Sequence, residues 1–396
     1  MSYLFTRLPP FAADYSGFAS ALHDLGGLVV IHDASGCTGS YTGYDEPRWF
    51  GGTSAVYCSG LREFDAIMGN DERLLDNIAR VCQEYEHRFV AVVGSPVPML
   101  VGFDFDGFAN LIENETDVPA FGYAATGLGL YEEGLSSAFL KVAGRFVHDP
   151  ACACRRGANI LGSSPLDNFN GECVSQLSGF LDEAGFPVVS VWGQGSKLEE
   201  IARAAEAEVN LVVSAAALPL ARTMKERWGI PYVTGLPLGK FASDRLKRCL
   251  SHVAGGEPAA VSQPADAQGA TLGKVLLIGE QVRMNAIREV LLELNPDIQV
   301  RVAGFFAWDA ELTQAHDRFL ADESEALDWV SDENADVLIG DPLLQQLLPG
   351  HARTLFVDDP HVAVSGRLYQ HDVSAYFGTN GTKFLERPLD ALYGND

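Results

Sequence analysis

Two cysteines lie in glycine-rich loops where a thiolate could bind a metal. Cys37 lies in HDASGCTGSYTG, after the apolar run LVVI, and Cys58 lies in VYCSGL. Glycine lets the backbone turn tightly and brings main-chain N–H groups close to a bound group. Soft thiolates with nearby N–H donors suit an iron–sulfur cluster. A spacing of 21 positions matches no compact ferredoxin pattern, so the residues alone leave open a cluster or two incidental thiols.

A tighter pair of thiols, Cys152 and Cys154, stands in ACACRR. The adjacent arginines favour thiolates, which predicts either a reactive or metal-binding pair or a surface loop with ordinary thiols. Cys82, Cys173 and Cys249 share helical faces with apolar residues and are expected to serve packing. Seven cysteines, an odd number, argue against a disulfide framework and for reduced thiols.

The elements that must position these residues alternate between strands and helices. Apolar runs that end in Gly, Ser or Asp include LVVIHD, FVAVVGS, NILGSS, NLVVSA, KVLLIG and DVLIGD. Continuous apolar strands between helices indicate parallel sheets covered on both faces. The sequence therefore predicts an α/β protein of three Rossmann-like (flavodoxin-like) domains, with parallel sheets around a central cleft.

Two helices can be predicted in detail. Residues 70–88 carry Leu74, Leu75, Ile78, Val81, Cys82 and Tyr85 on one face. Ser196 and Glu199 have the spacing of a capping box, which predicts a helix running towards Glu208.

Changes in composition predict the domain limits. Residues 254–273 are rich in Gly, Ala and Pro and are expected to form a linker, and residues 148–159 form a weaker break. The predicted units are 1–155 with the cysteine loops, 156–253, 274–360, and a tail, 361–396, that returns to the first domain.

Net charge and the absence of certain sequence patterns argue against several classes of function. A net charge of −25 disfavours nucleic acids and anionic membranes as partners. Because the sequence contains neither a secretory signal pattern nor a membrane-spanning stretch, we expect a cytoplasmic protein. The pattern GxxxxGK[ST] is also absent, so the chain is not expected to bind or hydrolyse ATP itself.

Several segments together resemble the nitrogenase component 1 type oxidoreductases, which include nitrogenase molybdenum–iron protein subunits, cofactor-assembly scaffolds and the nitrogenase-like tetrapyrrole reductases. They are HDASGC, VYCSGLREFDAIMGNDERLLDNI, VVGSPVPMLVGFDFDGF and LVVSAAALPLARTMKERWGIPYVTGLPLG. The resemblance covers nearly the whole chain, and its N-terminal part is the specific one. It implies that Cys37 and Cys58 ligate a cluster shared between two subunits.

The departures from the family pattern are equally informative. Pro96 stands where the third cluster cysteine is expected, so each chain offers two thiolates. Two copies would supply four, which fits one 4Fe-4S cluster across a homodimer; a homologous second subunit is the alternative. No thiol follows the strand at Val212, and Leu130 and Tyr131 stand where relatives carry paired histidines. Neither a molybdenum–iron cofactor nor dinitrogen reduction is therefore expected.

The resemblance also implies a substrate or metallocofactor between the domains, where parallel strands end. The candidate residues are Ser163, Ser164, Gln194, Ser214, Glu280, Asp341 and His361. His361 is placed at the family's C-terminal cofactor histidine. Turn, helix-entry and strand-end roles are the alternatives for Ser164, Glu280 and Asp341, and an ordinary buried histidine is the alternative for His361.

Three functions remain open at this point. The first is a reductase component that receives electrons from an ATP-dependent, nitrogenase-reductase-like iron protein and passes them to a small molecule such as a tetrapyrrole. The second is a non-catalytic scaffold or carrier for a metallocluster. The third is a ligand-binding relative that has lost its cluster.

Overall fold

The computed structural model describes residues 6–48, 52–69, 71–150, 156–256, 273–350, 352–369 and residue 385. Within these ranges, strands and helices alternate along the chain and the strands form three separate sheets. Every strand pair in these sheets is parallel. The predicted α/β fold with parallel sheets is confirmed.

The first sheet has the strand order β2-β1-β3-β4. Its strands are β1 (Leu28–Ile31), β2 (Ala55–Cys58), β3 (Val90–Val93) and β4 (Ala120–Tyr123). The helices of this part are α1 (Asp14–Leu22), α2 (Gly36–Ser40), α3 (Glu63–Met68), α4 (Asp71–Glu84), α5 (Pro96–Val101), α6 (Phe105–Thr116) and α7 (Tyr131–Phe146). The central strands β1 and β3 are buried along their whole length, as their unbroken apolar sequences predict.

The second sheet has the order β6-β5-β7-β8. Its strands are β5 (Ala158–Ser163), β6 (Val188–Gly193), β7 (Val209–Val212) and β8 (Tyr232–Thr234). Its helices are α8 (Gly171–Glu183), α9 (Leu198–Ile201), α10 (Leu218–Trp228) and α11 (Gly239–Ala254). Single 3-10 turns at Pro165–Asp167 and Ala215–Ala217 follow β5 and β7.

The third sheet has the order β11-β10-β9-β12-β13. Its strands are β9 (Gly273–Ile278), β10 (Ile298–Gly304), β11 (Arg318–Phe319), β12 (Val337–Gly340) and β13 (Leu355–Asp358). The remaining helices are α12 (Gln281–Leu294), α13 (Glu323–Glu333) and α14 (Val362–Ser365).

Each sheet lies within one of the units predicted from composition, except that β9 begins at Gly273, the last residue of the predicted linker; the limits of those units remain a prediction. Most of the predicted linker, residues 257–272, lies outside the described residues, as does most of the tail. In the part of the tail that is described, Arg367 donates to the carbonyl oxygens of Thr42 (3.2 Å) and Gly43 in the first unit.

Helices α1 and α7 cross at close range, and glycine makes the crossing possible. A Cβ on Gly17 would lie 1.8 Å from the carbonyl oxygen of Tyr131, and a Cβ on Gly134 would lie 1.8 Å from that of Asp14. This contact places the start of α7 against the N-terminal helix. It also directs Tyr131 towards the other two sheets, where one continuous apolar core joins all three units.

None of the helices in the described ranges has the length and apolar character that a membrane crossing requires.

Candidate functional site

Cys37 and Cys58 lie at the same edge of the first sheet. Cys58 is the last residue of β2 and pairs in register with Ile31, the last residue of β1; Cys37 follows in the short helix α2. Both side chains are partly exposed, and the two thiols lie within electrostatic range of each other. The structure therefore brings together two residues that the sequence placed in separate loops.

Main-chain groups surround the Cys58 sulfur. The N–H of Gly60, a residue with a φ of +67°, donates to this sulfur over 3.4 Å, and the thiol donates to the carbonyl oxygen of Asp33 at 3.4 Å. N–H donors beside sulfur are the partners that a cluster-ligating thiolate needs. The surroundings of Cys58 thus fit a cluster ligand.

The surroundings of Cys37 disfavour a free thiolate. Burial, and then the charge of Asp33, raise the pKa of the Cys37 thiol, while a hydrogen bond with the Tyr15 side chain lowers it. A thiolate in such a place needs a nearby positive centre, which a metal would provide. Tyr15 was not predicted as a site residue, because no motif in the sequence links this residue of α1 to the cysteine loops.

Pro96 lies beside the same site. It begins α5, and its Cγ is 2.7 Å from where a Cβ on Gly127 would stand; the Tyr15 ring is 3.6 Å from that point. Among the described residues, no three His, Cys, Asp or Glu side chains are grouped so that they could hold a metal. In the part of the chain that is described, one copy therefore offers two thiols and lacks further ligands.

A large exposed apolar surface lies next to the cysteine loops. We call it the apolar edge, and it consists of Phe64, Ile67 and Met68 on α3 with Leu100 and Val101 on α5, which packs against α3. Phe64 is 74% exposed and Leu100 is 86% exposed. Contiguous apolar surface of this kind marks an interaction site.

A half-open cavity of about 380 Å³ adjoins Cys58, and Ile67, Met68 and Val101 of the apolar edge line part of it. His32, Ser59 and Phe103 contribute to its wall. Nδ1 of His32 lies 2.8 Å from the Ser59 hydroxyl, and its ring centroid lies 4.6 Å from that of Phe103. Burial lowers the pKa of His32, so its imidazole is neutral at neutral pH.

A second group of polar residues meets where the three sheets join. Tyr131 at the start of α7, Asp167 after β5 and His361 after β13 are each more than nine-tenths buried. The Tyr131 hydroxyl donates to Oδ1 of Asp167, and Nε2 of His361 lies 3.3 Å from the same oxygen and 3.4 Å from the hydroxyl. We call these three residues the junction triad.

Buried carboxyl groups surround the junction triad. Burial, and then the charge of Asp167, raise the pKa of Glu280 to about 7, and burial raises that of Glu132 to about 8. Burial also raises the pKa of Tyr131 well above its ordinary value, which keeps its hydroxyl a donor. Oδ2 of Asp167 and Oε2 of Glu132 have no hydrogen-bond partner in the described ranges. At neutral pH the junction therefore holds protons on Glu132 and Tyr131 and, in part, on Glu280.

Most of the predicted cavity residues are buried and have backbone partners. The hydroxyls of Ser164 and Ser214 accept the N–H groups of Leu166 and Ala216 in the 3-10 turns. Ser163 is fully buried at the end of β5, whereas Gln194 is half-buried and its N–H donates to the Ser163 carbonyl.

The acidic candidates link the units to one another. Glu280 caps the N-terminus of α12, and its carboxylate accepts the N–H groups of Ala215 and Arg283, both at 2.8 Å. Asp341 accepts the N–H of His361 at 2.8 Å. The turn and helix-entry roles considered for Ser164, Glu280 and Asp341 are thus present.

The space at the junction is small. Glu280, Asp341 and His361 line a cavity of about 10 Å³ together with Phe305 and Phe306, which is room for about one water molecule. The binding role of the seven candidate residues therefore remains a prediction, and a bulky ligand would require the junction to open.

Sequence reasoning missed Asp167 and Glu132, and it noted Tyr131 only as a departure from a family pattern. Cys152 and Cys154 lie outside the described residues. Cys173 is buried on α8, and Cys82 and Cys249 pack against apolar clusters, as predicted.

Comparison with known proteins identifies relatives. A family model described as "Nitrogenase component 1 type Oxidoreductase" matches residues 14–347. The nitrogenase iron-molybdenum cofactor biosynthesis protein NifE of Nostoc sp. is 26% identical over 212 residues, 51% of this chain and 42% of that protein. NifE of Rhizobium meliloti is 30% identical over 188 residues, 45% of this chain and 38% of that protein. These alignments span less than half the length of either relative.

A solved structure has the same fold. The chain described as "Nitrogenase Cp1 at pH 6.5" matches with a TM-score of 0.72 at 14% identity, over 100% of this chain and 94% of that one.

Proposed function

The chain belongs to the nitrogenase component 1 type oxidoreductase family, and on that premise we propose that it is an electron-transfer component whose Cys37 and Cys58 hold an iron–sulfur cluster shared between two subunits. The observation that carries the proposal is the convergence of these two thiols at one sheet edge, beside exposed apolar surface. When bound, a 4Fe-4S cluster accepts and releases one electron at a time.

The number of ligands supports a second subunit. Two thiols from each of two copies complete the four ligands of a cubane cluster, and a two-fold axis brings them together. The apolar edge adjoins the cysteine loops, so a second copy could cover it while completing the site. We favour a homodimer; a homologous second subunit is the alternative arrangement.

The chain's own residues would tune the cluster and hold protons. The Gly60 N–H, 3.4 Å from the Cys58 sulfur, would stabilise negative charge on that ligand. Reductions consume protons as well as electrons. In the junction Glu132 and Tyr131 are protonated at neutral pH, and Glu280, with a pKa of about 7, is about half protonated. We propose that the junction is where a substrate meets these protons after it opens.

The electron donor in this proposal is an ATP-dependent iron protein of the nitrogenase-reductase type. The chain itself is proposed to bind no ATP and no molybdenum–iron cofactor, and to act on a small molecule rather than dinitrogen. The exclusion of a molybdenum–iron cofactor rests on the sequence, in which no thiol follows the strand at Val212.

A second candidate function is a scaffold or carrier for a metallocluster. The names of the NifE relatives, which refer to cofactor biosynthesis, favour it. A scaffold would transfer a cluster stoichiometrically to an acceptor protein, whereas a reductase component would oxidise its iron-protein partner during continued ATP hydrolysis.

The deciding experiment measures iron and sulfide in anaerobically purified protein. We expect about two iron atoms per chain, a low-temperature electron spin resonance signal after reduction, and the mass of a dimer. Cys37→Ala and Cys58→Ala should each lose the iron and the signal. Cys82→Ala is the matched control, because this half-buried thiol on α4 packs against apolar residues.

Three results would redirect the proposal. Iron and sulfide near zero in the wild-type protein would favour a ligand-binding relative that has lost its cluster. Copurification of a homologous subunit would replace the homodimer with a heterodimer. Full iron content without electron transfer from any iron protein would favour the scaffold.

A further inference from the structure

The first residues of the described chain connect distant parts of the fold. We call residues 6–13 the N-terminal arm, which has no helix and contributes only one isolated bridge, from Ala13 to Leu130. The arm runs from the third unit, across the junction, to α1 in the first unit. It contacts both Tyr131 and α14, the helix that follows β13.

One end of the arm is held by a single carboxylate. Glu323, in the first turn of α13, accepts the N–H groups of Thr6 (3.0 Å), Arg7 (2.8 Å) and Leu8 (2.8 Å), and it accepts the Thr6 hydroxyl at 2.7 Å. Burial opposes the charge, but these hydrogen bonds outweigh it and lower the pKa of Glu323 to about 2. The carboxylate is therefore charged at any physiological pH, and this end of the arm depends on it.

The other end of the arm covers the junction triad. The N–H of Ala12 donates to the carbonyl of Ala363 at 2.8 Å, and the carbonyl of Ala12 accepts the N–H of Tyr131 at 2.9 Å. Ala12 thus bridges the start of α7 and the helix that follows His361.

Phe11 covers the junction triad through two further rings. Its ring centroid lies 5.2 Å from that of Phe305 and 5.5 Å from that of Phe306. The Phe306 ring in turn lies 5.3 Å from the Tyr131 ring and 4.9 Å from the His361 ring.

We propose that the N-terminal arm is a lid over the junction: Glu323 holds it closed, and its release exposes the junction triad. The carboxylate is a suitable latch because it receives four hydrogen bonds from three consecutive residues. Loss of that one charge therefore loosens the whole outer end of the arm at once. The Phe11 ring then still packs on Phe305 and Phe306, and Phe306 contacts Tyr131 and His361.

The lid explains how a closed junction could admit a ligand. The cavity of about 10 Å³ between Glu280, Asp341 and His361 holds no more than about one water molecule. The ends of the surrounding strands nevertheless point towards this cavity, which is where a ligand would lie if the junction opened. The assumption that the junction binds a ligand depends on the function proposed above. Movement of the arm itself can be measured without a cluster or a ligand, so the two proposals fail separately.

The test compares Glu323→Gln with Glu325→Gln in the full-length protein. Glu325 lies in the same first turn, and its carboxylate accepts the N–H of Ala321 (3.1 Å) instead of contacting the arm. For Glu323→Gln we expect hydrogen exchange at the N–H groups of Leu8 and Ala12 to accelerate about tenfold or more, because hydrogen bonds to a charged group are lost. Glu325→Gln should leave this exchange unchanged.

A second readout reports on the junction itself. Carbethoxylation of His361, followed by mass spectrometry, should be slow in the wild type and faster in Glu323→Gln, while exposed His252 reacts equally in both. Phe11→Ala is the second variant, in which His361 should react faster although Leu8 stays protected. Unchanged arm exchange in Glu323→Gln would overturn the lid. Uniformly faster hydrogen exchange across β12 in Glu323→Gln would also overturn the lid proposal, because Glu323 would then stabilise the whole third unit.

Discussion

Glu132 provides the sharpest test of the buried junction, because its side chain is protonated where an exposed glutamate is ionised. Burial raises its pKa from 4.5 to about 8. Below pH about 4.5 the folded and unfolded states both carry the proton. Between pH about 4.5 and 8 the folded state keeps a proton that the unfolded state releases, so stability falls as pH rises.

The size of the effect follows from proton linkage. One proton retained on folding changes the free energy of unfolding by about 1.4 kcal/mol per pH unit. Over the range from pH 5 to pH 8, Glu132 therefore lowers the stability of the wild type by up to about 4 kcal/mol. Glutamine resembles the protonated acid in shape, and it does not ionise.

The assay is denaturant unfolding of wild type and Glu132→Gln at pH 5, 6, 7 and 8. We expect similar midpoints at pH 5 and a progressively higher midpoint for Glu132→Gln above pH 6. Glu133→Gln is the control, because the Glu133 side chain is exposed. This substitution should change the pH dependence of the unfolding midpoint far less. Parallel pH profiles for the wild type and Glu132→Gln would refute the assignment of a protonated, buried carboxyl group.

Three further variants test other parts of the structure. Tyr131→Phe removes the donor to Asp167 and should lower the free energy of unfolding by about 1–3 kcal/mol; an unchanged denaturant midpoint would contradict this bond. Arg288→Met removes the guanidinium that lies 2.8 Å from the buried Asp317 carboxylate, so that only neutral donors such as the N–H groups of Val302 and Gln314 face this charge. The free energy of unfolding should fall by about 3–5 kcal/mol, and adding Asp317→Asn should restore much of that loss in the same assay. Phe64→Asp places a charge on the apolar edge and should convert the proposed dimer to a monomer in sedimentation; an unchanged mass would exclude this edge as the interface.

Much of the fold could be predicted because a buried strand shows in the sequence as a short run of consecutive apolar residues. The run LVVI at 28–31 is buried at every residue, as is VAVV at 90–93. Such runs identify parallel sheets without any knowledge of their neighbours.

Two local predictions were wrong at helix ends. Tyr85 was predicted on the apolar face of α4, but the helix ends at Glu84 and the side chain is 62% exposed. Ser196 was predicted to cap a long helix, but α9 covers only Leu198–Ile201, and the Ser196 hydroxyl is buried without a partner among the described residues. In both cases the helix is shorter than the spacing of residue types predicts.

The junction could be predicted only in part. Glu280, Asp341 and His361 follow apolar strands, so their meeting could be anticipated from the rule that parallel strands end at a common edge. Glu132 stands in the first turn of a helix, where an acid is ordinarily solvated and favourable. Only the packing of α7 against the other units buries it, and that packing depends on residues far away in sequence.

The N-terminal arm has a consequence for how the newly made protein matures. Its partners include Glu323, which is 317 positions from Thr6, and Ala363. At ribosomal rates of about 5–20 residues per second, the arm is synthesised roughly twenty to seventy seconds before those partners emerge. Leu8 and Phe11 must therefore stay in water while later segments are translated, and the arm reaches its native position only after residues more than 300 positions later have been made.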